Sequence, residues 1–275
     1  MTFDKSTQFT LFGASGFIGS NLKNYLESQG AVVFCPPRDF IPTSEMDLGH
    51  VIYCIGLTAD FRKFPFETVN SHVCKLVELL KLSTFQSFLY LSSARVYLNN
   101  TDGCVDATLA VNPTNTDDLY NLSKLMGESV CLSINHPNVR IVRLSNVIGI
   151  DFESDNFLYA LIKSAVDKGE IVLQANINNA KDYIYIDDVK TLLINIVLKG
   201  KKRMYNVASG LNVSNKEILK QIQISTDCKI VTNESGFIQK FPSLDISNLN
   251  NEFNFMPNSI LDKIPELINY YKNRK

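Results

Sequence analysis

Near the amino terminus the chain reads Gly13-Ala14-Ser15-Gly16-Phe17-Ile18-Gly19, between the apolar run Phe9–Phe12 and the helical pattern Ser20–Gln29. Glycines at this spacing let backbone N–H groups approach a pyrophosphate at the positive end of the helix dipole. The last glycine also permits close packing of the helix on the strand. The order strand, glycine turn, helix therefore predicts a dinucleotide-binding site, whose residues would be Gly13, Ser15, Gly16, Phe17, Ile18 and Gly19.

Short runs rich in Val, Ile, Leu and Phe alternate with helical patterns through the first half of the chain. Such alternation is typical of a parallel sheet covered by helices on both faces. The gap between Cys35 and Val51 is too short for a further strand–helix unit. We therefore predict that this edge of the sheet lacks one strand and its helix. The predicted strands are Phe9–Phe12, Ala31–Cys35, Val51–Ile55, Phe88–Leu91 and Val139–Leu144, and the predicted helices are Ser20–Gln29, Asn70–Leu82 and Asp118–Asn135.

After Gly149 the pattern is less regular. It predicts the helices Phe157–Lys168, Asp188–Leu198 and Ile260–Tyr271, the strands Tyr183–Ile186 and Met204–Val207, and a polar loop over Gln174–Lys181. We therefore predict an α/β fold: a Rossmann-type doubly wound parallel sheet with a smaller C-terminal substrate-binding lobe. The dinucleotide-binding domain would occupy residues 1–150, with 183–208 returning to it, and the substrate-binding lobe residues 151–275.

Composition excludes several classes of protein. The 275 residues carry 27 Lys and Arg against 28 Asp and Glu, so no overall field attracts nucleic acid or an anionic membrane. No apolar run reaches the 18 residues of a spanning helix. The six cysteines and three histidines are scattered, without the clustering that zinc requires. We expect a cytoplasmic, metal-free protein that binds neither nucleic acid nor membrane.

The choice between NAD and NADP depends on the end of the second predicted strand, Cys35-Pro36-Pro37-Arg38-Asp39. An acidic residue at the strand end would bind the 2′-hydroxyl of NAD, but a proline stands there. Arg38 follows, and its guanidinium suits a 2′-phosphate, which favours NADP. Asp39 could still bind a 2′-hydroxyl, and Arg38 could simply be a solvated loop residue.

Tyr120 and Lys124 are separated by four residues on a predicted helix, which places them on one face. A neighbouring ammonium and an oxidised nicotinamide would lower the pKa of the phenol and make it a proton donor or acceptor. Ser93 follows a predicted buried strand and could align a substrate oxygen with Tyr120. Its neighbour Ser92 is expected to satisfy local backbone. A surface Tyr–Lys pair is the alternative interpretation.

Together these features resemble the extended short-chain dehydrogenase/reductase family, also called the NAD-dependent epimerase/dehydratase family. The resemblance follows the chain in order. It includes the glycine turn, the Asn70 helix start, Ser92–Tyr97, the Tyr120/Lys124 pair, Arg143–Gly149, Lys181–Val189 and Met204–Gly210.

The resemblance implies a role for several residues. Ser93, Tyr120 and Lys124 would form the catalytic triad, and the cofactor would also contact Cys54, Ile55, Gly56 and Asn70. Asn146 and Lys181 would hold a substrate diphosphate, although the family usually has arginine at the position of Lys181. Asn156 would contact the nucleotide, and Thr58 would border cofactor and substrate. The resemblance also implies a homodimer through Asn70–Leu82 and Asp118–Asn135, whose apolar faces would equally suit ordinary core packing.

One departure from the family narrows the expected reaction. Sugar-nucleotide 4,6-dehydratases carry Asp-Glu after the active-site hydroxyl, and this chain has Ala94 and Arg95 there. The resemblance thus implies an NAD(P)-dependent oxidoreductase acting on a nucleotide-activated sugar, as a 4-ketoreductase. A nucleotide-sugar 4-epimerase is the alternative. A non-catalytic dinucleotide-binding sensor on the same fold is an alternative of another class.

Overall fold

The computed structural model describes residues 3–4, 6–57, 60–154, 156–232, 236 and 238–274. Its largest element is a six-stranded sheet in which every neighbouring pair is parallel. Strand order is β2-β1-β3-β4-β5-β9, so the chain reverses its direction of winding at β1. The strands are β1 (Gln8–Phe12), β2 (Val32–Phe34), β3 (His50–Tyr53), β4 (Ser87–Ser93), β5 (Val139–Leu144) and β9 (Met204–Val207).

Helices cover both faces of this sheet, because successive strand residues point to opposite sides. On one face, Leu11 and Leu89 pack against the helices α1 (Phe17–Ser28) and α6 (Ile186–Lys199). On the other, Tyr53 and Tyr90 pack in a cluster with α3 (Lys75–Leu82) and α4 (Leu119–Ser133). The predicted α/β fold with a Rossmann-type parallel sheet is confirmed. β2 is the outermost strand on one side of the sheet, as the short gap between Cys35 and Val51 predicted.

The helix before β4 is longer than predicted. It begins at Pro65 rather than Asn70 and runs through α2 (Pro65–Val69), a π-helical turn at Asn70–Cys74, and α3. Proline at the first helical position needs no hydrogen bond there and fixes a helical φ, which explains the earlier start.

The second half of the chain forms two small sheets and further helices. One sheet has the order β10-β8-β6 and the other pairs β11 with β7. The segment 183–208 was predicted to return to the dinucleotide-binding domain. Of its two strands, β8 lies in a small sheet and β9 lies in the large one. The elements are β6 (Asn146–Ile148), α5 (Phe157–Lys168), β7 (Glu170–Leu173), β8 (Ala180–Tyr185), β10 (Asn212–Ser214), α7 (Asn215–Thr226), β11 (Lys229–Thr232), α8 (Ser247–Phe253) and α9 (Ile260–Asn273).

Two predicted boundaries in this half are wrong. The polar loop predicted over Gln174–Lys181 ends earlier, because Ala180 and Lys181 pair with β10 as the first residues of β8. The strand predicted to include Ile186 ends at Tyr185, since Ile186 begins α6. In both places tertiary pairing, not local composition, sets the element boundary.

Candidate active site

The glycine turn at the end of β1 is shaped to receive an anionic group. Gly13 has a φ of +82°, and a Cβ there would lie 3.0 Å from the backbone of Cys54. Gly16 is the N-cap of α1, and neither a capping side chain nor an acidic residue occupies the first turn. The N–H groups at the start of α1 are thus left without side-chain partners, which fits the pyrophosphate of a dinucleotide.

Gly19 sets how closely α1 approaches the turn. A Cβ at this position would overlap the carbonyl oxygen of Gly13 and meet Ala14 Cα at 2.8 Å. Gly19→Ala is therefore expected to lower the free energy of unfolding by about 1–3 kcal/mol and to weaken dinucleotide binding, because the backbone must shift.

Denaturant unfolding and calorimetric titration with NADPH measure the two effects. The matched control is Gly16→Ala, whose Cβ would meet only an ordinary contact of 3.6 Å and should leave unfolding nearly unchanged. Equal stability of the two variants would contradict the packing role of Gly19.

A cavity of about 560 Å³ extends from this turn across the carboxyl end of the large sheet. Its size is typical of small-molecule sites, and its position is where open α/β sheets bind ligands. It brings together most of the residues predicted for the site. Those lining it are Gly13, Gly16, Phe17, Ile18, Gly19, Cys54, Ile55, Gly56, Ser93, Tyr120, Lys124, Asn146, Asn156 and Lys181.

Three predicted cofactor residues do not line the cavity. Ser15 is exposed in the glycine turn, Arg38 is exposed in the loop after β2, and Asn70 is exposed at the start of the π-helical turn. Arg38 as a 2′-phosphate ligand therefore stays a prediction. Thr58, predicted to border the substrate, lies outside the described residues.

Ser93 and Tyr120 meet inside the cavity. Ser93 is the last residue of β4, Tyr120 is only 4% exposed on α4, and both line the cavity. Burial raises the pKa of Tyr120 above its usual value, whereas the nearby Ser93 hydroxyl and Arg95 lower it. Because the net pKa shift is upward, the phenol carries its proton at neutral pH.

Lys124 lies one helical turn from Tyr120. Its Nζ donates to Leu91 O at 2.9 Å and lies 6.0 Å from the centroid of the Tyr120 ring. Burial lowers the pKa of Lys124 to about 7. The predicted action of Lys124 and an oxidised nicotinamide on the phenol stays a prediction.

His72 is fully buried and lies, with Lys124, directly behind Gly56 in the wall of the cavity. A Cβ added to Gly56 would lie 3.1 Å from His72 Nε2 and 3.3 Å from Lys124 Nζ, so glycine keeps this space open. His72 Nδ1 lies 2.8 Å from Ser123 Oγ. Burial first, and then Lys124, lowers the pKa of His72 to about 2, so its imidazole is neutral.

The pKa of Lys124 predicts a pH dependence of stability. Between pH 7 and about 10.4, the ordinary lysine value, the unfolded chain holds a proton that the folded protein releases. Stability therefore rises with pH in this window. Relative to Lys124→Met, the wild type should gain roughly 2 kcal/mol in free energy of unfolding between pH 7 and pH 9.

Urea titrations of the cofactor-free protein at both pH values measure this gain. Lys263→Met is the control, because Lys263 pairs with Glu266 on the surface of α9. A difference between wild type and Lys124→Met that stays constant with pH would show that Lys124 titrates at its ordinary value.

A buried polar network lies beneath the Ser93–Tyr120 pair. Glu128, also on α4, is 3% exposed and accepts from Ser92 Oγ at 2.5 Å and from Arg143 Nη2 at 2.7 Å. The expectation that Ser92 satisfies local backbone is therefore wrong. Arg143 continues the network by donating to Tyr97 Oη at 2.7 Å.

The network ends at an amide that ties distant loops together. Asn206, on β9, accepts from Tyr97 Oη at 2.9 Å. Its Nδ2 donates to Gly103 O at 2.8 Å and to Asp245 O at 3.0 Å. One side chain thus anchors both the loop after β4 and the segment that precedes α8.

The side of the cavity away from the glycine turn carries the predicted substrate residues. Asn146 Nδ2 donates to Asp182 O at 2.8 Å, and Asn156 Oδ1 caps α5 by accepting from Leu158 N at 3.1 Å. Lys181 Nζ lies 5.8 Å from the centroid of the Phe241 ring. Burial, and then Arg95, lowers the pKa of Lys181. The two asparagines thus have structural hydrogen bonds in addition to any ligand role.

Several lining residues were not predicted. Phe61 follows β3 in a loop, and Gln239, Phe241, Pro242 and Leu244 form a wall from the segment before α8. These residues are isolated in the sequence from every recognised motif. Because they lie far along the chain from the glycine turn, no short sequence pattern connected them to the site.

The residues that the structure describes contain no group of three or more His, Cys, Asp and Glu side chains placed to hold a metal ion. Over the same residues, no helix has both the length and the apolarity that crossing a membrane requires.

The chain is similar to known proteins in both sequence and structure. Over 213 residues, 71% of this chain, the sequence is 25% identical to dTDP-4-dehydro-6-deoxyglucose reductase of Escherichia coli. That match covers 64% of the reductase, so the chain spans less than two thirds of this curated relative.

Solved structures show the same fold. RMD from Pseudomonas aeruginosa, complexed with NADPH, has a TM-score of 0.78 at 20% identity, over 98% of this chain and 100% of that one. UDP-glucose 4-epimerase from Thermotoga maritima, with UDP-glucose, has a TM-score of 0.74 at 16% identity, over 97% and 99% of the two chains.

The sequence profile of the NAD dependent epimerase/dehydratase family matches residues 43–208, more than half of the chain. The match includes β3, β4, α4 and the five strands from β5 to β9. With the fold, the glycine turn and the Ser93–Tyr120–Lys124 group in view, the chain belongs to the NAD dependent epimerase/dehydratase family.

Proposed function

We propose that the protein is an NAD(P)-dependent oxidoreductase that reduces the C4 carbonyl of a nucleotide-activated sugar. The observation that carries this proposal is the placement of Ser93 and Tyr120 in the same cavity that the glycine turn lines. A proton-transfer pair and a dinucleotide cradle in one cavity are what carbonyl reduction requires.

Each residue of the group has a distinct task in this reaction. The bound nicotinamide supplies the hydride. Tyr120 donates its proton to the carbonyl oxygen as negative charge develops there, and Ser93 donates a second hydrogen bond to the same oxygen. Lys124, one helical turn away, binds the cofactor ribose. We assign the diphosphate of the substrate to Asn146 and Lys181, and its nucleotide to Asn156.

One feature of this chain disfavours dehydration, another reaction of the family. Ala94 and Arg95 leave no carboxyl pair beside Ser93 for the elimination of water. The similarity to the E. coli reductase and to an NADPH complex also supports reduction. Epimerisation at C4 is the second candidate, because the same tyrosine could remove and return the proton.

The two reactions differ in what happens to the cofactor. The purified protein is incubated with dTDP-4-keto-6-deoxyglucose or with UDP-glucose, with and without added NADPH. A reductase lowers the near-ultraviolet absorbance of NADPH in a 1:1 ratio to product. Formation of the C4 epimer with no net loss of NADPH would overturn reduction and establish the epimerase.

Arg38 provides a separate test of the cofactor. If its guanidinium holds the 2′-phosphate of NADPH, Arg38→Ala should weaken NADPH binding roughly tenfold or more, because a charge-assisted hydrogen bond is lost. NADH binding should change little. Titration of both cofactors into both proteins measures this, and equal losses for NADPH and NADH would remove Arg38 from the 2′-phosphate site.

A further inference from the structure

Arg95 holds a central place in the cavity that the proposed reduction does not use. Its guanidinium lies 5.2 Å from the centroid of the Phe61 ring and 5.5 Å from that of Tyr120. Stacking on aromatic rings fixes the plane of a guanidinium while its edges stay available for hydrogen bonds. Arg95 is therefore a cation with a defined orientation beside the proton-transferring phenol.

Protein groups occupy only one edge of this guanidinium. Nη1 donates to Asp117 O and to Asn121 Oδ1, both at 3.1 Å. Across the part of the chain that the structure describes, no hydrogen bond to protein is recorded for Nε or Nη2 of Arg95. This unoccupied Nε–Nη2 edge is the one that binds a carboxylate with two parallel hydrogen bonds.

The neighbouring Arg62 shows the contrast within the same cavity. Its Nε and Nη2 donate to the two carboxylate oxygens of Asp117 at 2.5 and 2.8 Å. Arg62 already has a carboxylate on the edge that Arg95 leaves free. Arg62 is thus paired with a carboxylate, whereas the Nε–Nη2 edge of Arg95 has no carboxylate partner in the described part of the chain.

Two of the cations that line the cavity, Arg95 and Lys181, have no acidic partner in the described part of the chain. Neither Arg95 nor Lys181 is within ion-pair distance of an acidic side chain in the described ranges. Asp182, which also lines the cavity, accepts hydrogen bonds from Ser209 N and Oγ, both at 2.9 Å. Two cations that repel each other across one cavity are stabilised by ligands that place an anion on each.

We propose that the sugar of the substrate carries a carboxylate, bound by the Nε–Nη2 edge of Arg95, while Lys181 binds the diphosphate. This inference rests on the proposed function, since it assigns the sugar to the space beside Tyr120. The carboxylate lies on the Tyr120 side because Arg95 stacks on that ring. The substrate class is a nucleotide-activated acidic sugar, and a neutral sugar leaves the Arg95 edge unpaired.

Matched sugar nucleotides test this assignment by calorimetric titration in the presence of cofactor. We expect UDP-glucuronic acid to bind at least tenfold more tightly than UDP-glucose. Arg95→Met should abolish that preference and leave UDP-glucose affinity nearly unchanged, whereas Arg95→Lys should keep part of it. Arg62→Met, which removes the cation already paired with Asp117, should retain the preference. Unchanged cofactor affinity shows that each variant is folded.

The other outcomes separate this inference from the proposed function. Equal affinity of wild type for both sugar nucleotides would overturn the carboxylate site and leave the proposed function standing. An equal loss for both on Arg95→Met would place Arg95 on the diphosphate and also overturn it. Binding of cofactor without either UDP-sugar, or either member of the corresponding dTDP-sugar pair, would overturn the proposed function itself.

Discussion

Tyr120→Phe is expected to lower kcat/KM for the proposed reduction by about 10²- to 10⁴-fold, the contribution typical of a positioned acid. The substitution removes the phenol hydroxyl and keeps the ring that Phe61 and His72 contact at 5.4 and 5.3 Å between centroids. Packing should therefore survive. Cofactor affinity should stay within a few-fold of wild type, because the glycine turn is untouched.

Steady-state kinetics and cofactor titration on the same samples separate proton transfer from binding. Tyr270→Phe is the matched control, since Tyr270 is 41% exposed on α9 and does not line the cavity. Activity of Tyr120→Phe at the wild-type level would remove the phenol from the reaction.

Glu128→Ala is expected to cost about 3–5 kcal/mol in free energy of unfolding, because it leaves the buried cation of Arg143 uncompensated. Both side chains of this ion pair are about 5% exposed or less, and the pair is joined by a contact of 2.7 Å. Ser92 Oγ also loses its acceptor. Since Ser92 precedes Ser93 on β4, activity should fall along with stability.

Denaturant unfolding at neutral pH measures this cost. Glu266→Ala is the control: Glu266 pairs with Lys263 at 3.0 Å on the surface of α9, its side chain is 60% exposed, and such pairs contribute about 1 kcal/mol or less. A loss for Glu128→Ala no larger than for the control would mean that Arg143 is stabilised by Tyr97 and backbone alone.

The sequence predicted the large sheet well because its strands are buried on both faces. β5, for example, is fully buried and reads as a continuous apolar run interrupted only by arginines. α7 was missed because its composition is polar, although Ser214 and Glu217 form a capping box that marks its start. β11 was missed because its residues are mostly exposed and its partner β7 is distant along the chain.

Part of the site could also be predicted from the sequence. Ser93, Tyr120 and Lys124 belong to short local patterns next to recognisable elements, and the structure brings them into one cavity with the glycine turn. The free edge of Arg95 could not be predicted, because it depends on which of its nitrogens meets Asp117 and Asn121. The burial of Tyr120, which raises the pKa of its phenol, could not be predicted either, because it depends on packing that composition does not reveal.

The wall formed by Gln239, Phe241, Pro242 and Leu244 has a consequence for protein synthesis. All six strands of the large sheet end by Val207, so a ribosome completes the dinucleotide cradle before it makes this wall. Asn206, which anchors the chain at Asp245 directly after the wall, is also translated first. The glycine turn and the strand ends beside it can therefore form before the wall closes that side of the cavity.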